Sequence, residues 1–580
     1  NPTTESASET TQETSEPTTT GSETDTESDT GPETGEPVAL PTGPLKAGVA
    51  VGHLTRPIGV SMAGYGSRTP TTDTPWNNTL NASRGMYGLP SVKAMALEVA
   101  GERLILLKLP TMSGEASLTD GIADKLEQLY GIDLRGRILT GATHSHHTHA
   151  RYWRLPDALA VVGCDSPDEE VIDELTTVFA ETIKRALDDL QPAHWGYTHQ
   201  DDWDPDDRIY RDRRDENNPT YAKDPRLTLL AVRRTSGAPM GVIINFGMHG
   251  TVFGSGNELL TEDAPGGIEL KFEEYFYQRE GQPIFGMFIQ SGGADAAPAG
   301  GSLGHPDPAR IEVIGEEAAP KIYDLYEQIT WRAEASLGVQ SQRIDLRYDA
   351  IGYDESDEFL SPQNRPFLWG GWQCTGSDDD VDDNNPETSM AGKPKDCLDL
   401  EGLLTALGQQ IPHGEVHQTY LTSAVLGNLV LMSLPGEPAA SVINYMREEL
   451  TTRTYQGEPV TGMAFGYSQD HLLYLTHPDD WLQGGYETEM SLWGPLLAKY
   501  IVDRQVETID NLLAGVHAPV WTEESENLSP KPDTPWEPRA YEVSLNPGQA
   551  VLDPEPVIER GQTLRFGFNG GDASISVPHV

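Results

Sequence analysis

Short apolar runs bounded by glycine, proline and charge alternate along the chain with longer stretches in which apolar residues return every three or four positions. The runs Ala47–Val51, Val92–Val99, Arg103–Leu109, Arg137–Thr140, Leu227–Val232, Met240–Phe246, Pro283–Gln290 and Ala424–Leu434 read as strands, several of them apolar enough to be buried on both faces. The helical rhythm predicts helices over Thr119–Tyr130, Ile268–Phe276, Ile311–Tyr326 and Ser491–Leu513. Ser166-Pro167-Asp168-Glu169 opens another, with a capping hydroxyl, proline in the first turn and early acids, and Val171, Leu175, Phe179, Ile183 and Leu187 give it one apolar stripe. Strand, helix, strand in succession predicts a layered α/β fold, a mixed β-sheet flanked by helices. No tandem repeat is evident in the sequence.

The rhythm fails at both ends. Residues 1–41 are Thr, Ser, Glu, Asp, Gly and Pro almost throughout, with no aromatic, lysine or arginine, and cannot bury a core; they read as a disordered, self-repelling acidic spacer. Residues 42–518 form the main domain. Residues 519–580 begin as a Pro-, Glu- and Ser-rich connector and end in Gln562–Phe568, which alternates as a strand of a C-terminal β-sandwich would.

Composition narrows the partners. Ninety acidic residues against forty Lys and Arg give a formal charge of -50, which argues against nucleic acid and anionic membranes as partners. No apolar run is long enough to predict a transmembrane segment. The chain starts at Asn1 without Met, so a removed signal peptide is expected, and with the acidic tether this predicts an extracellular, periplasmic or cell-surface location. Cys374 and Cys397 bracket an acidic insertion, Gly376 to Asp396, and are expected to close it as a disulfide, which requires an oxidising compartment; Cys164 reads as a small buried thiol.

The candidate chemistry centres on Thr143-His144-Ser145-His146-His147-Thr148-His149, directly after a predicted strand. On an extended chain His144 and His146 share a face, and neutral imidazoles pre-aimed at a strand end suit a divalent metal. A surface histidine cluster or a low-complexity tract accounts for the same letters equally well. His249, just past the strand Met240–Phe246, is a second candidate ligand.

Collected in order, these strand ends resemble the neutral/alkaline non-lysosomal ceramidases, which are zinc amidases. The shared elements are Met62-Ala63-Gly64-Tyr65, Thr143-His144-Ser145-His146, Asn245-Phe246-Gly247-Met248-His249, Pro435-Gly436-Glu437, and Tyr474-Leu475-Thr476 followed by Tyr486-Glu487 and Gly494-Pro495; a Gly-Asp element is matched only at Asp263. The resemblance implies a Zn²⁺ held by His144, His249, Glu437 and Tyr474, one per chain, with room for a second structural ion such as Ca²⁺ or Mg²⁺. It implies His146 as proton shuttle, Tyr486 as oxyanion donor and Arg208 as the site arginine, with Arg211 and Arg213 competing for that role. It also implies an immunoglobulin-like module beginning in residues 519–580.

The implied activity is hydrolysis of the amide of an N-acyl lipid, ceramide to sphingosine and fatty acid, through a zinc-activated water and with peripheral membrane contact. One departure stands out. Where the family has Gly-Asp-Val-Ser-Pro-Asn, this chain reads Ala294-Asp295-Ala296-Ala297-Pro298-Ala299, so the serine is Ala297 and no acyl-enzyme can form there. The alternative is a catalytically impaired, lipid-binding or surface relative. A zinc hydrolase of another amide or ester, whose extra histidines hold a second metal, is a third reading.

Overall fold

The computed structural model describes residues 38–154, 163–213, 222–299, 304–353, 371–372, 398–408, 416–481, 485–516, 546, 549–557 and 565–569. Twelve strands form one large mixed sheet. They are β1 (Thr42–His53), β2 (Ser91–Val99), β3 (Glu102–Leu109), β4 (Ile138–Ala142), β5 (Gln191–Gln200), β6 (Leu227–Arg234), β7 (Pro239–Phe246), β8 (Phe285–Gln290), β9 (Glu334–Asp345), β10 (Gln418–Leu426), β11 (Leu429–Leu434) and β12 (Thr461–Gly466). Six long helices accompany them: α1 (Ala116–Tyr130), α2 (Glu169–Asp188), α3 (Asp263–Glu280), α4 (Asp307–Tyr326), α5 (Ala440–Leu450) and α6 (Leu497–Leu513).

The order of these elements is a threefold repeat. In each third, three strands pair antiparallel in succession, a helix follows, the fourth strand lies parallel to the third, and a second helix packs beside the first. The repeat is one of structure, not of sequence: β1 to α2, β5 to α4 and β9 to α6 are three copies of one arrangement. The first strands of the copies meet, β1 pairing with β5 at Lys46–Ala47 and with β9 at Thr42–Pro44, while Trp195 of β5 bridges to Arg332.

Burial follows the same plan. One face of the sheet gives a shared central cluster that includes Leu45, Leu106, Trp195, Ile243, Leu337, Leu431 and Phe465, drawn from all three copies. Each copy covers its other face with its own helix pair, as Leu118, Leu175 and Phe179 do in the first, Ile268, Phe272 and Ile314 in the second, and Ile443, Ile501 and Ile509 in the third. Buried polar links join the copies: Arg447 makes two bonds to the buried Asp224 (2.6 and 2.9 Å), and Arg343 two to Asp120 (2.8 and 2.6 Å).

Most predicted elements lie where the periodicity put them, within a few residues. The apolar run Ala424–Leu434 is two strands rather than one, because Gly427 (φ 59°) turns the chain between Leu426 and Leu429. The fold reaches back to Val38, whose N–H donates to the carbonyl of Gly515 (2.7 Å), and Leu40 is buried. In the C-terminal part the described residues make one two-stranded antiparallel ladder, Ala550–Leu552 with Gly567–Phe568. Cys374, Cys397 and the acidic insertion between them lie outside the described residues; Cys164 is a buried free thiol.

Candidate metal centre

Each copy contains one parallel strand pair, β3 with β4, β7 with β8, and β11 with β12. In open α/β sheets ligands gather at the carboxyl ends of such strands, and here all three pairs deliver polar side chains there. His144 and His146 follow β4, His249 follows β7, and Glu437 follows β11.

The histidine pair is placed by a turn, not by strand alternation. β4 ends at Ala142, and His144 takes φ 57°, a strained conformation for a residue with a side chain, held by His144 N–H to Thr111 O (3.0 Å) and Gly250 N–H to His144 O (3.2 Å). His146 N–H donates to Gly250 O (3.1 Å), so the loop after β7 clamps the loop after β4. Two close approaches demand glycine. A Cβ on Gly247 would lie 1.8 Å from Gly292 O, and one on Gly64 (φ 99°) 2.3 Å from Cγ of His146. The Gly-Tyr turn is thus part of the site: Gly64 makes room for the His146 ring, and Tyr65 packs edge-on against it at 4.9 Å.

His144 Nδ1 bonds Met112 O (2.8 Å) and His249 Nδ1 bonds Gly293 O (2.6 Å), which leaves both Nε2 atoms free to point inward. Glu437 Oε2 lies 3.3 Å from His144 Nε2 and 3.4 Å from His249 Nε2. His249 Nε2 and Glu437 Oε2 are buried and have no hydrogen-bond partner. Orphaned buried donors and acceptors are costly, and donor atoms about 3.3 Å apart are what a tetrahedral shell of about 2.0–2.1 Å bonds produces. The residues therefore fit a divalent metal. His144, His146 and His249 also form the one three-residue metal-competent group among the described residues.

Electrostatics agree with that use. Burial, with Arg213 and His144 adding to it, pushes His249 down to about 3, so its imidazole is neutral at physiological pH, as a candidate ligand must be. Burial works to raise the Glu437 carboxyl, but His144 and His249 outweigh it and hold the group well below the usual carboxylate range.

Tyr474 is brought in by a short parallel bridge in which it sits directly opposite Glu437. Its hydroxyl accepts from Arg213 Nη2 (3.2 Å), and Arg213 Nε donates to Glu487 (3.1 Å). The ring of Tyr486 stands edge-on to Tyr474 at 5.3 Å, and Tyr486 is 56 % exposed, at the open side of the group. Arg208 is corrected: it is exposed and paired with Glu317 on α4 (2.7 Å), so it does not reach the cluster, and the arginine that does is Arg213. Its backbone N–H donates to Asp295 O (2.9 Å), which ties it to the segment after β8. Ala297 lies in that segment, paired opposite Arg211, and presents only a methyl group.

The extra histidines serve the fold. His147 has Arg68 Nη2 at 2.8 Å from Nδ1 and Phe253 O at 2.9 Å from Nε2, and burial with Arg68 pushes it down to about 3. His149 is fully buried and pushed down to about 4 by that burial. Asp263 accepts from the backbone of Val252, Phe253 and Ala264 (2.8, 3.0 and 2.7 Å), bracing the loop after His249. Two residues without any sequence signal also line the cluster. Tyr467 lies 4.0 Å from His144, ring to ring, with its hydroxyl unpartnered, and His471 has its Nε2 3.9 Å from Glu437 Oε1.

Comparison with known proteins bears on this geometry. Residues 81–304, which hold His144, His146 and His249, match the family described as neutral/alkaline non-lysosomal ceramidase, N-terminal. A neutral ceramidase of Mycobacterium tuberculosis is 22 % identical over 437 residues, a match covering 68 % of this chain and 66 % of that protein, just under two thirds of its length. The crystal structure of neutral ceramidase from Pseudomonas aeruginosa superposes with a TM-score of 0.67 at 17 % identity, covering 90 % of this chain and 84 % of that one. A ceramidase complexed with C2 gives 0.68 at 18 % identity, over 92 % and 85 % of the two chains. The mixed α/β fold is the one those structures have, and residues 81–304 are what this chain shares with the neutral/alkaline non-lysosomal ceramidase family model.

Proposed function

We propose that this protein is a zinc-dependent amidase that hydrolyses the amide of an N-acyl lipid, with ceramide as the leading substrate. The observation that carries the reading is the convergence of His144 Nε2 and His249 Nε2 on Glu437 Oε2, at 3.3 and 3.4 Å, with His249 Nε2 and Glu437 Oε2 lacking any hydrogen-bond partner. His144, His249 and Glu437 would hold the ion, with Tyr474 as fourth ligand. Zn²⁺ supplies Lewis acidity there, which makes water nucleophilic at neutral pH.

The chain's own residues supply the rest. His146 is half-buried at the rim, its Nε2 3.1 Å from His144 Nε2 and its Nδ1 unpartnered, so it can take the proton released by the attacking water and return it to the departing amine nitrogen. Tyr486 offers its hydroxyl to the carbonyl oxygen as charge develops there. Arg213 holds the Tyr474 hydroxyl in place. With Ala297 at the serine position, water is the only nucleophile in this scheme. Export to the envelope or medium, suggested by the acidic N-terminal composition, belongs to the same proposal.

The test is metal analysis of the purified protein together with hydrolysis of N-acylsphingosines in ¹⁸O-water. Label in the released acid, with no acyl group on the intact protein, is the expected result. A trapped acyl-protein would overturn the mechanism. Ala297 also favours a second reading, a metal-binding lipid receptor without turnover; bound zinc with no hydrolysis, and activity gained on Ala297→Ser, would establish it.

A further inference from the structure

The segment joining β12 to Tyr474 is unusual in its backbone. Tyr467, Gln469 and Leu473 adopt φ of 54°, 68° and 58°, a conformation residues with side chains rarely take. Such strain persists only where surrounding contacts enforce it, and it concentrates at functional sites. The enforcing contacts are present. Gln469 Oε1 accepts from Thr140 Oγ1 (2.9 Å) and its Nε2 donates to Ile138 O (2.8 Å), fastening the loop to β4, while Asp470 accepts from His471 N–H (2.9 Å) and Thr419 Oγ1 (2.9 Å).

The product of this arrangement is the placement of His471. Its ring is buried against Trp153 (centroids 5.0 Å apart), and neither ring nitrogen has a hydrogen-bond partner. Leaving a buried imidazole unbonded is unfavourable unless a partner is close by. The neighbour is Glu437, whose Oε1 is 3.9 Å from His471 Nε2, while Oε2 faces His144 and His249. The two oxygens of one carboxylate are thus divided between two sides.

We propose that His471 is a positioning residue for Glu437: its Nε2–H holds Oε1, so that Oε2 stays turned toward His144 and His249. This rests on the metal-centre reading above. A carboxylate shift of about 1 Å brings the 3.9 Å separation within hydrogen-bond range, and an ion drawing on Oε2 leaves Oε1 as the oxygen that must be satisfied by the protein. Partners of this kind fix a ligand's rotamer before the ion arrives and are worth about 10–100-fold in metal affinity.

The experiment uses the full chain, stripped of metal, titrated with Zn²⁺ in competition with a chromophoric chelator. Three variants are compared: His471→Phe, which fills the volume without a donor; His471→Gln, whose amide nitrogen reaches the Nε2 position; and His471→Asn, whose amide falls short of it. Affinity within about threefold of the parent is expected for His471→Gln, and a loss of about tenfold or more for His471→Phe and His471→Asn. In a Glu437→Gln background, His471→Phe should add almost nothing. Gln and Asn are alike in polarity, so their contrast survives if the phenylalanine variant does not fold. Equal affinity across the variants, or a His471→Phe effect that persists without Glu437, overturns the proposal. Failure of the parent chain to bind Zn²⁺ at all would instead refute the metal-centre reading on which it rests.

Discussion

Lys108 is the most deeply buried charge in the first copy of the repeat, and replacing it by methionine should test how the metal loop is braced. Its ammonium is fully enclosed and bonds Ser91 Oγ (2.9 Å), both oxygens of Glu269 (3.0 and 2.8 Å) and Glu262. Lys93 bonds Glu269 and Glu273 as well (2.8 Å each), so two lysines are shared among three carboxylates. Methionine keeps the volume but strands Glu262, whose carboxyl burial already raises despite Lys108. Removing one member of a buried ion pair costs about 3–5 kcal/mol. The sign with pH follows. In the variant the folded-state pKa of Glu262 rises further above its unfolded value, so the deficit is largest at neutral and alkaline pH and shrinks as pH falls through the new value.

Urea unfolding at pH 8, 7 and 5.5 would read this, with Glu262→Gln added in the same chain restoring part of the loss. The damage should also reach the metal site. Glu262 follows Thr261, whose carbonyl accepts from Ser145 Oγ (2.6 Å) between the two site histidines, so Zn²⁺ affinity should fall with stability. A deficit under about 1 kcal/mol, or one that does not vary with pH, would refute the reasoning.

Other outcomes are expected on the same physical grounds. Gly64→Ala places a methyl into the His146 ring and should lower turnover by about 10²-fold, as small misplacements of catalytic groups do, while metal content holds. Tyr467→Phe removes a buried hydroxyl that has no partner and should leave stability unchanged or raise it by about 1 kcal/mol, measured by urea unfolding; a large loss would mean the hydroxyl is bonded after all. Arg213→Ala should damage hydrolysis at least about tenfold, whereas Arg208→Ala, an exposed ion pair, should match the parent in a steady-state assay. His147, His149, His249 and His471, pushed down to about 3, 4, 3 and 4 by burial, bind protons in the unfolded chain but not in the folded one. The metal-free protein should therefore be fully stable only above about pH 6.5 and lose about 2 kcal/mol per histidine by pH 5. Asp263 and Asp470, raised to about 6 by burial, bind protons first in the folded state and return part of that loss below pH 6; a flat profile in urea unfolding from pH 7 to 5 would contradict both shifts.

How much was legible in the sequence depends on what wrote the signal. Strands such as β3 and helices such as α2 announce themselves because burial on one or both faces imposes a period. The hairpin at Gly427 did not, since two strands buried on both faces read as a single apolar run. The threefold repeat left no trace: its copies share pairing order, but each fills its outer core with different residues, Phe179 in one, Phe272 in another, Ile501 in the third. His144, His249, Glu437 and Tyr474, which the structure brings together, could be singled out because each stands in a short motif next to a strand end. Arg208 was chosen over Arg213 because the loop between β5 and β6 offers no period to fix a register, and only contact with Tyr474 separates the two. Nothing in the letters around His471 marks it, because its position is set by strained turns and a glutamine anchored on a strand more than three hundred residues earlier.

The three copies leave the site divided in time as well as in space. During synthesis His144 and His146 emerge first, His249 with the second copy, and Glu437 and Tyr474 only with the third. Roughly 290 residues separate His144 from Glu437, which at about 5–20 residues per second is about 15–60 s of translation. Through that interval the nascent chain carries imidazoles and no carboxylate partner for them. A cluster built this way reports the completion of the last copy, and a chain cut short before Glu437 would hold the histidines of the first two copies without the carboxylate they face.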